Sequence, residues 1–411
     1  MFMRATYAIG LIAVAGIGAA TAAFSTPTSV WPTELTAHEW GTFTTVAGEN
    51  GLAIDWLPLG GPSDLPCFVE HFDNRRTVKI IPNADGTPLD YEHARGALLG
   101  KVRMETPVLY FYAPQEMSVN VKVRFPRGLM TEWYPHADVT EMIAGPNTLK
   151  QANPTSVIEW RNVRVTRGGK TDFPSGSGES HYYAARATNA SPLAVGPQHE
   201  RFLFYRGIAD FDVPLSARAM PNGRVRIASV GSASVPNVVL FERRGATLGF
   251  RVLGTLHGDT TVDAPALNGS LASLRDQLQR ALTDAGLFPM EASAMLETWR
   301  DSWFEDGVRV FYLVPPTQVD AILPLEISPS PAHVARVFVG RMEVLTAATE
   351  SAVEHAITAR DAATLDRYGR FLGPIADRLM ARSASASERE RVRAATNAAL
   401  ASYLKRSAIC E

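Results

Sequence analysis

The chain has 411 residues, of which 46% are hydrophobic, and carries 40 lysines and arginines against 42 aspartates and glutamates. This composition is ordinary for a globular protein and excludes a disordered, collagen-like or disulfide-scaffold chain. A general nucleic-acid binder needs a concentrated basic face, so this near-neutral chain predicts no nucleic-acid partner. The length allows two or three domain-sized units.

The N-terminal segment is apolar and rich in small residues. No charged residue lies between Arg4 and Glu34, and residues 5–24 end in a run of mainly alanine. Such a stretch is typical of a secretory signal peptide, although its length would just permit an uncleaved membrane anchor. We predict a signal peptide at residues 1–23 and an exported protein, periplasmic or extracellular, with no stable membrane span after cleavage.

Two cysteines, Cys67 and Cys410, lie far apart in the chain. In an oxidising compartment they could form one disulfide bond that ties the C-terminal tail to the N-terminal region. The alternative is two unrelated cysteines, and the sequence leaves both possibilities open.

Residues 24–262 are predicted to form a β-rich domain. Residues 117–125 alternate apolar and polar side chains, which predicts a strand with one buried and one wet face. Residues 106–112 are β-branched and aromatic, and residues 113–116 have the composition of a turn. We therefore expect these two strands to form a hairpin.

Further strands are predicted at residues 201–206, 224–230, 238–243 and 247–253. Short strands at this spacing, with no clear helical segment between them, favour an antiparallel arrangement over a parallel α/β sheet. The predicted fold class is mainly β with α, with an antiparallel β-sandwich-like body followed by a helical C-terminal region.

Residues 263–411 are predicted to form that mixed, mainly helical region. Ser270 can cap a first helix that ends at Gly286, and Pro289 can open a second, so the two form an αα-hairpin. A strand is expected at residues 308–314. Helices are then expected from about residue 332 to the end, and Ser387 with Glu390 forms a capping-box pattern before the last of them.

Familiar catalytic signatures do not occur in the sequence. It has no Gly-x-Ser-x-Gly elbow between a strand and a helix, no glycine-rich phosphate loop and no His-Glu-x-x-His or paired Cys-x-x-Cys motif. A catalytic site in this protein would have to be built from residues that are distant in the sequence.

The histidines are concentrated in the β-rich domain, and several stand beside a carboxylate, as in His38-Glu39 and Glu70-His71. Imidazole and carboxylate together suit a divalent transition metal such as Zn, Mn or Fe. Neighbouring side chains on a strand point to opposite faces, so each pair could supply one ligand. The candidate metal ligands are His38, His71, His181 and His199. The alternative is surface histidines and histidines in structural hydrogen bonds.

Two aromatic segments could form ligand sites. Residues 180–186 place His181 and two tyrosines directly after a glycine- and serine-rich loop, which is typical of a covered ligand site or of a strand with alternating tyrosines. Residues 133–136 and Trp160 could stack on sugar rings, or could fill the core. A glycan or envelope partner is therefore possible.

Arginine greatly outnumbers lysine, with 34 arginines and six lysines. The planar guanidinium group suits carboxylate and phosphate recognition. A codon bias would produce the same excess, so the sequence alone does not identify an arginine site. On the strand before residue 106, Arg103 and Glu105 share one face and could form an ion pair or bind a substrate carboxylate.

Two functional hypotheses follow. The first is an exported protein with a non-catalytic ligand-binding or envelope-associated role. The alternative is a metal-dependent secreted hydrolase with histidine and carboxylate ligands, which would need three or more of those side chains to converge. Without a catalytic signature we favour the first.

Overall fold

The computed structural model describes residues 31–60, 65–71, 98–140, 148–151, 153–176 and 180–407, without the side chains of residues 148, 151 and 402–407. Its described residues from Pro32 onward belong to one compact unit. The signal peptide predicted at residues 1–23 lies outside the described residues. Cys67 is disulfide-bonded, and Cys410, the other cysteine of the chain, also lies outside them.

Strands dominate the described chain, and the predicted β-rich character is confirmed. The strands are β1 Thr36–Ala47, β2 Glu70–His71, β3 Val102–Tyr112, β4 Met117–Pro126, β5 Gly128–Tyr134, β6 Asp138–Thr140, β7 Thr155–Val165, β8 Leu193–Val195, β9 Gln198–Glu200, β10 Leu203–Ala209, β11 Leu215–Ala219, β12 Val225–Ser229, β13 Val235–Arg244, β14 Thr247–Leu256, β15 Asp259–Val262, β16 Gly307–Leu313, β17 Leu325–Ser328 and β18 His333–Val344.

Most of the helices lie in the C-terminal region, as expected. They are α1 Thr148–Gln151, α2 Leu271–Asp284, α3 Pro289–Thr298, α4 Pro316–Ile322, α5 Ala347–Ala359, α6 Ala362–Tyr368, α7 Leu372–Arg382 and α8 Ala386–Ser407, with short 3₁₀ helices at His181–Arg186 and Gly369–Phe371. The αα-hairpin is confirmed as α2 and α3, and the Ser270 side chain accepts a hydrogen bond from the backbone N–H of Ser273. Ser385, rather than Ser387, accepts from the first turn of α8.

The main sheet is mixed, which corrects the prediction of an antiparallel body. Its strands follow the order β14-β13-β16-β18-β1-β3-β10-β5-β7-β4-β17, with short strands attached to β5, β7 and β8. Most neighbours are antiparallel, but β1 and β18 are parallel over all twelve residues of β1, from Thr36 with His333 to Ala47 with Val344. β18 comes from the C-terminal region, and periodicity within a segment cannot show which distant strand will lie beside it.

The predicted hairpin between β3 and β4 is wrong. β4 has the expected alternation of buried and exposed residues, but it pairs with β7 and β17. β3 is buried over its whole length and pairs with β1 and β10. Both edges of β3 are therefore occupied by other strands, and the turn after Tyr112 leads the chain away to another part of the sheet.

The helix expected from about residue 332 is also wrong at its start, because His333–Val344 is strand β18. This strand lies between β1 and β16, and its second half is buried throughout. A strand buried on both faces loses the alternation that normally identifies it. The helices begin only at Ala347, where the Thr346 side chain accepts from the backbone N–H of Thr349.

Strands from both sides of residue 262 share the main sheet, because β13 pairs with β16 and β1 pairs with β18. A second sheet of three strands has the order β11-β12-β15. Its inner residues, such as Ala217 and Ile227, join the same hydrophobic core as Phe43 and Met104 of the main sheet.

The two faces of β1 pack against different partners. Phe43 faces the main hydrophobic core, whereas Val46 packs with Trp56 and the C-terminal helices. Residues 36, 38, 40, 42 and 44 share the face of Val46 by strand alternation. Helices α5 to α8 contribute the apolar cover at this end of the face through residues such as Val353 and Ile375. Among the described helices, none has the length and apolar character needed to cross a membrane.

Candidate functional site

The four histidines predicted as metal ligands have different surroundings. His38 is buried on β1, and its Nδ1 lies 2.8 Å from Glu291 Oε2. His181 begins the 3₁₀ helix, with its Nε2 2.8 Å from Asp301 Oδ2. His71 is exposed on β2, and His199 is half-buried on β9. Within the described residues, no group of three or more His, Cys, Asp or Glu side chains is arranged to hold a metal ion.

His38 belongs to a buried polar cluster at the N-terminus of α3. Besides the His38 contact, Glu291 accepts hydrogen bonds from the Tyr112 hydroxyl at 2.7 Å and from the backbone N–H of Phe288 at 2.7 Å. The Phe288 ring covers both partners, with centroid distances of 4.4 Å to His38 and 4.9 Å to Tyr112. Burial, together with the Glu291 charge, raises the pKa of Tyr112 far above its usual value. The cluster fixes the imidazole and joins α3 to β1 and β3.

The segment 180–186, predicted as a covered ligand site or a strand, is a 3₁₀ helix whose aromatic surroundings are filled by Arg186. The Arg186 guanidinium lies 4.9–5.8 Å from the ring centres of four residues: Phe68, Phe173, Tyr182 and Tyr183. It pairs with Glu200 through Nε at 2.9 Å and Nη2 at 2.6 Å. Burial raises the pKa of Glu200, and Arg186 opposes that rise. The rings therefore enclose a side chain of this protein.

The aromatic residues considered for sugar stacking are mostly part of the core. Trp133 is 8% exposed, Tyr134 3% and Trp160 1%, and the Trp160 indole N–H donates to the carbonyl of Pro135 at 2.9 Å. Rings this deeply buried do not offer a stacking face to a sugar.

A polar pocket of about 270 Å³ lies where the ends of β1 and β18 meet β11 and α7. Three arginines from two distant segments line it: Arg218 on β11, and Arg378 and Arg382 on α7. Gly48 and Glu49, which follow β1, and Leu345, which follows β18, complete much of its wall. We refer to this pocket, defined by Arg218, Arg378 and Arg382, as the arginine pocket.

Glu350 holds two of these arginines in place. Its carboxylate is buried, with Arg378 Nε 2.9 Å from Oε1 and Arg382 Nη1 bonded to Oε2. Arg378 also donates to the carbonyl of Leu345 at 3.3 Å, and Arg382 Nη2 lies 3.1 Å from the exposed carboxylate of Glu49. These contacts fix the α7 wall of the pocket against β1 and β18.

Arg218 differs from its two neighbours. No carboxylate, carbonyl or aromatic ring among the described residues contacts its guanidinium, and its Nε is buried. The three arginines face two carboxylates, Glu49 and Glu350, so the wall carries an excess of one positive charge. A guanidinium presents a planar fork that matches a carboxylate or phosphate, and hydrogen bonds between such charged groups are strong. The arginine pocket can therefore bind an anion.

Sequence reasoning did not find this pocket. Arg218 stands 160 residues before Arg378 and 164 before Arg382, and no spacing relates it to these two. The excess of arginine over lysine was the one relevant signal, and it cannot distinguish these three residues from the other 31.

Comparisons with known proteins do not assign the chain to a family. No protein-family model and no curated protein matches the sequence. Among solved structures, it is similar to the zebrafish (Danio rerio) Fcho1 mu-homology domain with a bound Eps15 peptide, with 9% identity, a TM-score of 0.29 and coverage of 77% of this chain and 98% of that one. It is also similar to the yeast delta-COP-I mu-homology domain complexed with a Dsl1 WxWxV peptide, with 8% identity and a TM-score of 0.28. The match covers 76% of this chain and 98% of that one. TM-scores this low do not establish a shared fold.

Proposed function

We propose that this protein is an exported, non-catalytic binding protein that holds a small organic anion in the arginine pocket. The observation that carries the proposal is Arg218, a guanidinium without a partner among the described residues, on the wall of a polar pocket. Ligand pockets usually contain a few convergent polar groups that orient the ligand. Here Arg218 supplies the free group, and Glu350 preorganises the other two arginines.

The ligand class follows from charge and size. An excess of one positive charge on the wall suits one carboxylate better than a doubly charged phosphate. A volume of about 270 Å³ lies slightly below the usual range for ligand sites, about 300–1,000 Å³, and therefore suits a small ligand. We therefore propose a small carboxylic acid, bound through a fork-to-fork contact with Arg218.

The test is calorimetric titration of the purified protein with acetate, lactate and succinate, with sodium phosphate and sodium sulfate as comparison anions. We expect saturable binding of a carboxylate at millimolar concentrations or below. Arg218→Gln should weaken it about tenfold to a hundredfold, because it removes a charge-assisted hydrogen bond. Arg244→Gln removes the same charge from an exposed position on β13, paired with Glu242, and should leave binding unchanged.

Equal binding by the Arg218→Gln protein, or no carboxylate binding by the unsubstituted protein, would contradict the proposal. Tighter binding of phosphate than of any carboxylate would retain the pocket but reject the ligand class.

Export is the second part of the proposal, and its support is the apolar leader at residues 1–23. The N-terminal sequence of protein recovered from the periplasm or the medium should begin near residue 24. A protein that retains residue 1 and stays with the membrane fraction would contradict export with cleavage. We do not adopt the hydrolase alternative, because no three-ligand group supports it in the described part of the chain.

A further inference from the structure

Glu49 contributes a carboxylate to the wall of the arginine pocket, and it lies on a short turn that follows β1. The backbone N–H of Gly51 donates to the carbonyl of Gly48 at 3.0 Å, which closes the turn. The backbone N–H of Ala217 donates to the carbonyl of Gly51 at 2.9 Å, which docks the turn on β11 one residue before Arg218. Two backbone hydrogen bonds therefore hold the segment that carries Glu49 in place at the pocket.

The two carboxylates that pair with the arginines of the pocket have different surroundings. The side chain of Glu350 is 5% exposed, and its two oxygens contact Arg378 and Arg382. The side chain of Glu49 is 71% exposed, and its Oε1 lies 3.1 Å from Arg382 Nη2. Glu49 is part of the pocket wall, so its carboxylate is the one that a bound anion meets.

The contact between Glu49 and Arg382 affects the charge of the pocket more than the stability of the fold, because ion pairs exposed to water are weak. Arg382 already contacts Glu350 through Nη1 and Glu49 through Nη2. A ligand with one carboxylate can bind Arg218 and leave these contacts as they are. A ligand with two carboxylates brings a second negative charge to a wall on which Glu49 already occupies Arg382, and like charges repel.

Size alone does not exclude a ligand with two carboxylates. The pocket volume of about 270 Å³ is several times the roughly 30 Å³ that one water molecule occupies in the liquid, so a four-carbon dicarboxylate such as succinate has space. Charge does discriminate, because the excess of one positive charge on the wall is matched by one carboxylate and exceeded by two. Neutralising Glu49 would raise that excess to two positive charges.

We infer that Glu49 is a specificity-determining residue, which occupies Arg382 and restricts the arginine pocket to ligands with one carboxylate. The inference rests on the proposed function, because it concerns the same pocket and assumes that Arg218 binds the first carboxylate. Binding sites select one ligand over another with a group that repels the competitor as well as a group that attracts the preferred ligand. Arg218 is the attractive group of this pocket, and Glu49 is the repulsive group.

The test is calorimetric titration of the purified protein with lactate and with succinate, before and after Glu49→Gln, near neutral pH, at which both carboxylates of succinate are ionised. We expect the unsubstituted protein to bind lactate more tightly than succinate. Glu49→Gln should raise the affinity for succinate about tenfold and the affinity for lactate less than about threefold, because it removes a repulsion that acts on two charges rather than one. It also makes Arg382 Nη2 available to the second carboxylate.

Two further variants serve as controls. Glu326→Gln removes the same charge from a side chain that is 56% exposed and paired with Arg124, on β17 at the end of the main sheet. It should leave the ratio of the two affinities unchanged. Glu49→Gln is also made in an Arg382→Gln protein, where the gain for succinate should fall below about threefold, because the guanidinium that would bind the second carboxylate is absent.

The outcomes separate this inference from the proposed function. No carboxylate binding by the unsubstituted protein would reject the proposed function and this inference with it. If lactate binds and Arg218→Gln weakens it, tighter binding of succinate than of lactate by the unsubstituted protein would overturn the inference alone. An unchanged affinity ratio in the Glu49→Gln protein would do the same. So would a full gain for succinate in the Arg382→Gln protein, because that result would indicate a general effect of charge.

Discussion

At the residue scale, three buried tyrosine hydroxyls each donate a hydrogen bond to a carboxylate. The Tyr112 hydroxyl donates to Glu291, that of Tyr182 to Glu200 and that of Tyr205 to Glu39. Burial is the main cause that raises their pKa values, and the adjacent carboxylates add to it. Burial raises the pKa of Tyr134 to about 12. Folding therefore holds these phenols in the protonated form.

This arrangement predicts a loss of stability at alkaline pH. Since the folded pKa lies above the unfolded value of 10.0, each buried tyrosine contributes stability that is fully present below pH 10. That contribution is lost as the pH rises through the folded value. Each such group should lower the free energy of unfolding by about 1.4 kcal/mol per pH unit above 10.

The measurement is tyrosinate absorbance followed together with circular dichroism during an alkaline titration. We expect a minority of the 11 tyrosines to ionise while the protein is folded, and the others to ionise cooperatively as it unfolds. The urea-unfolded protein is the control and should titrate near pH 10. Reversible ionisation of most tyrosines near pH 10 in the folded protein would contradict this prediction.

Individual arginines also explain part of the arginine excess. Arg309 is fully buried and donates to the carbonyls of Trp303, Glu305 and Asp306 at 3.0, 2.5 and 2.7 Å, while its Nε lies 2.9 Å from Glu343. One planar guanidinium group thus satisfies three backbone acceptors and a carboxylate at once. A lysine ammonium group has three donors on one atom and cannot reach groups spread around the loop in this way.

At the scale of elements, Glu291 connects α3 to the sheet. It is the third residue of the helix, where it accepts from the Phe288 backbone, and it also accepts from groups on β1 and β3. Sequence reasoning found the αα-hairpin from its caps and its apolar stripe. It did not find this tether, because His38 and Glu291 are 253 residues apart.

We predict that Glu291→Gln lowers the free energy of unfolding by about 2–3 kcal/mol. The buried carboxylate is contacted by three hydrogen-bonding groups, and the amide that replaces it has an NH₂ group that cannot accept hydrogen bonds from them. The measurement is urea denaturation near pH 7. Glu297→Gln on the same helix is the control. Its side chain is 45% exposed and pairs with Arg275 and Arg300. The Glu297→Gln substitution should therefore lower the free energy of unfolding by less than about 1 kcal/mol. Equal costs for the two substitutions would contradict the role of Glu291 as a tether.

At the scale of the whole molecule, β16 and β18 complete a sheet that starts near the N-terminus. β18 lies against one edge of β1, and β16 joins β18 to β13. A chain that ends at residue 262 would leave one edge of β1 and one edge of β13 unpaired. It would also expose apolar groups that β18 covers, such as Phe43, whose ring stacks on Phe338 of β18. Unpaired edges of buried strands promote aggregation.

We therefore predict that residues 32–262 alone do not fold into a cooperative, monodisperse protein. Size exclusion and thermal unfolding of this fragment should show aggregation or no transition. Residues 32–385 are the control, because they also lack Cys410 but lose only α8, and they should remain folded with reduced stability. A cooperative transition from residues 32–262 would show that the β-rich domain predicted from the sequence folds independently.

Elements that have a local signature can be predicted from the sequence alone. The alternation of β4 and the Ser270 cap of α2 were predicted correctly, because solvent on one face and a helix end each impose a short-range pattern. That residues 333–344 form a strand depends on tertiary contacts, since burial on both faces removes the alternation that would identify it. Tertiary structure also decides which distant groups meet, as in the arginine pocket and at His38 with Glu291. Such contacts depend on the order of the strands in the sheet and on where the helices dock, and residue spacing along the chain predicts neither.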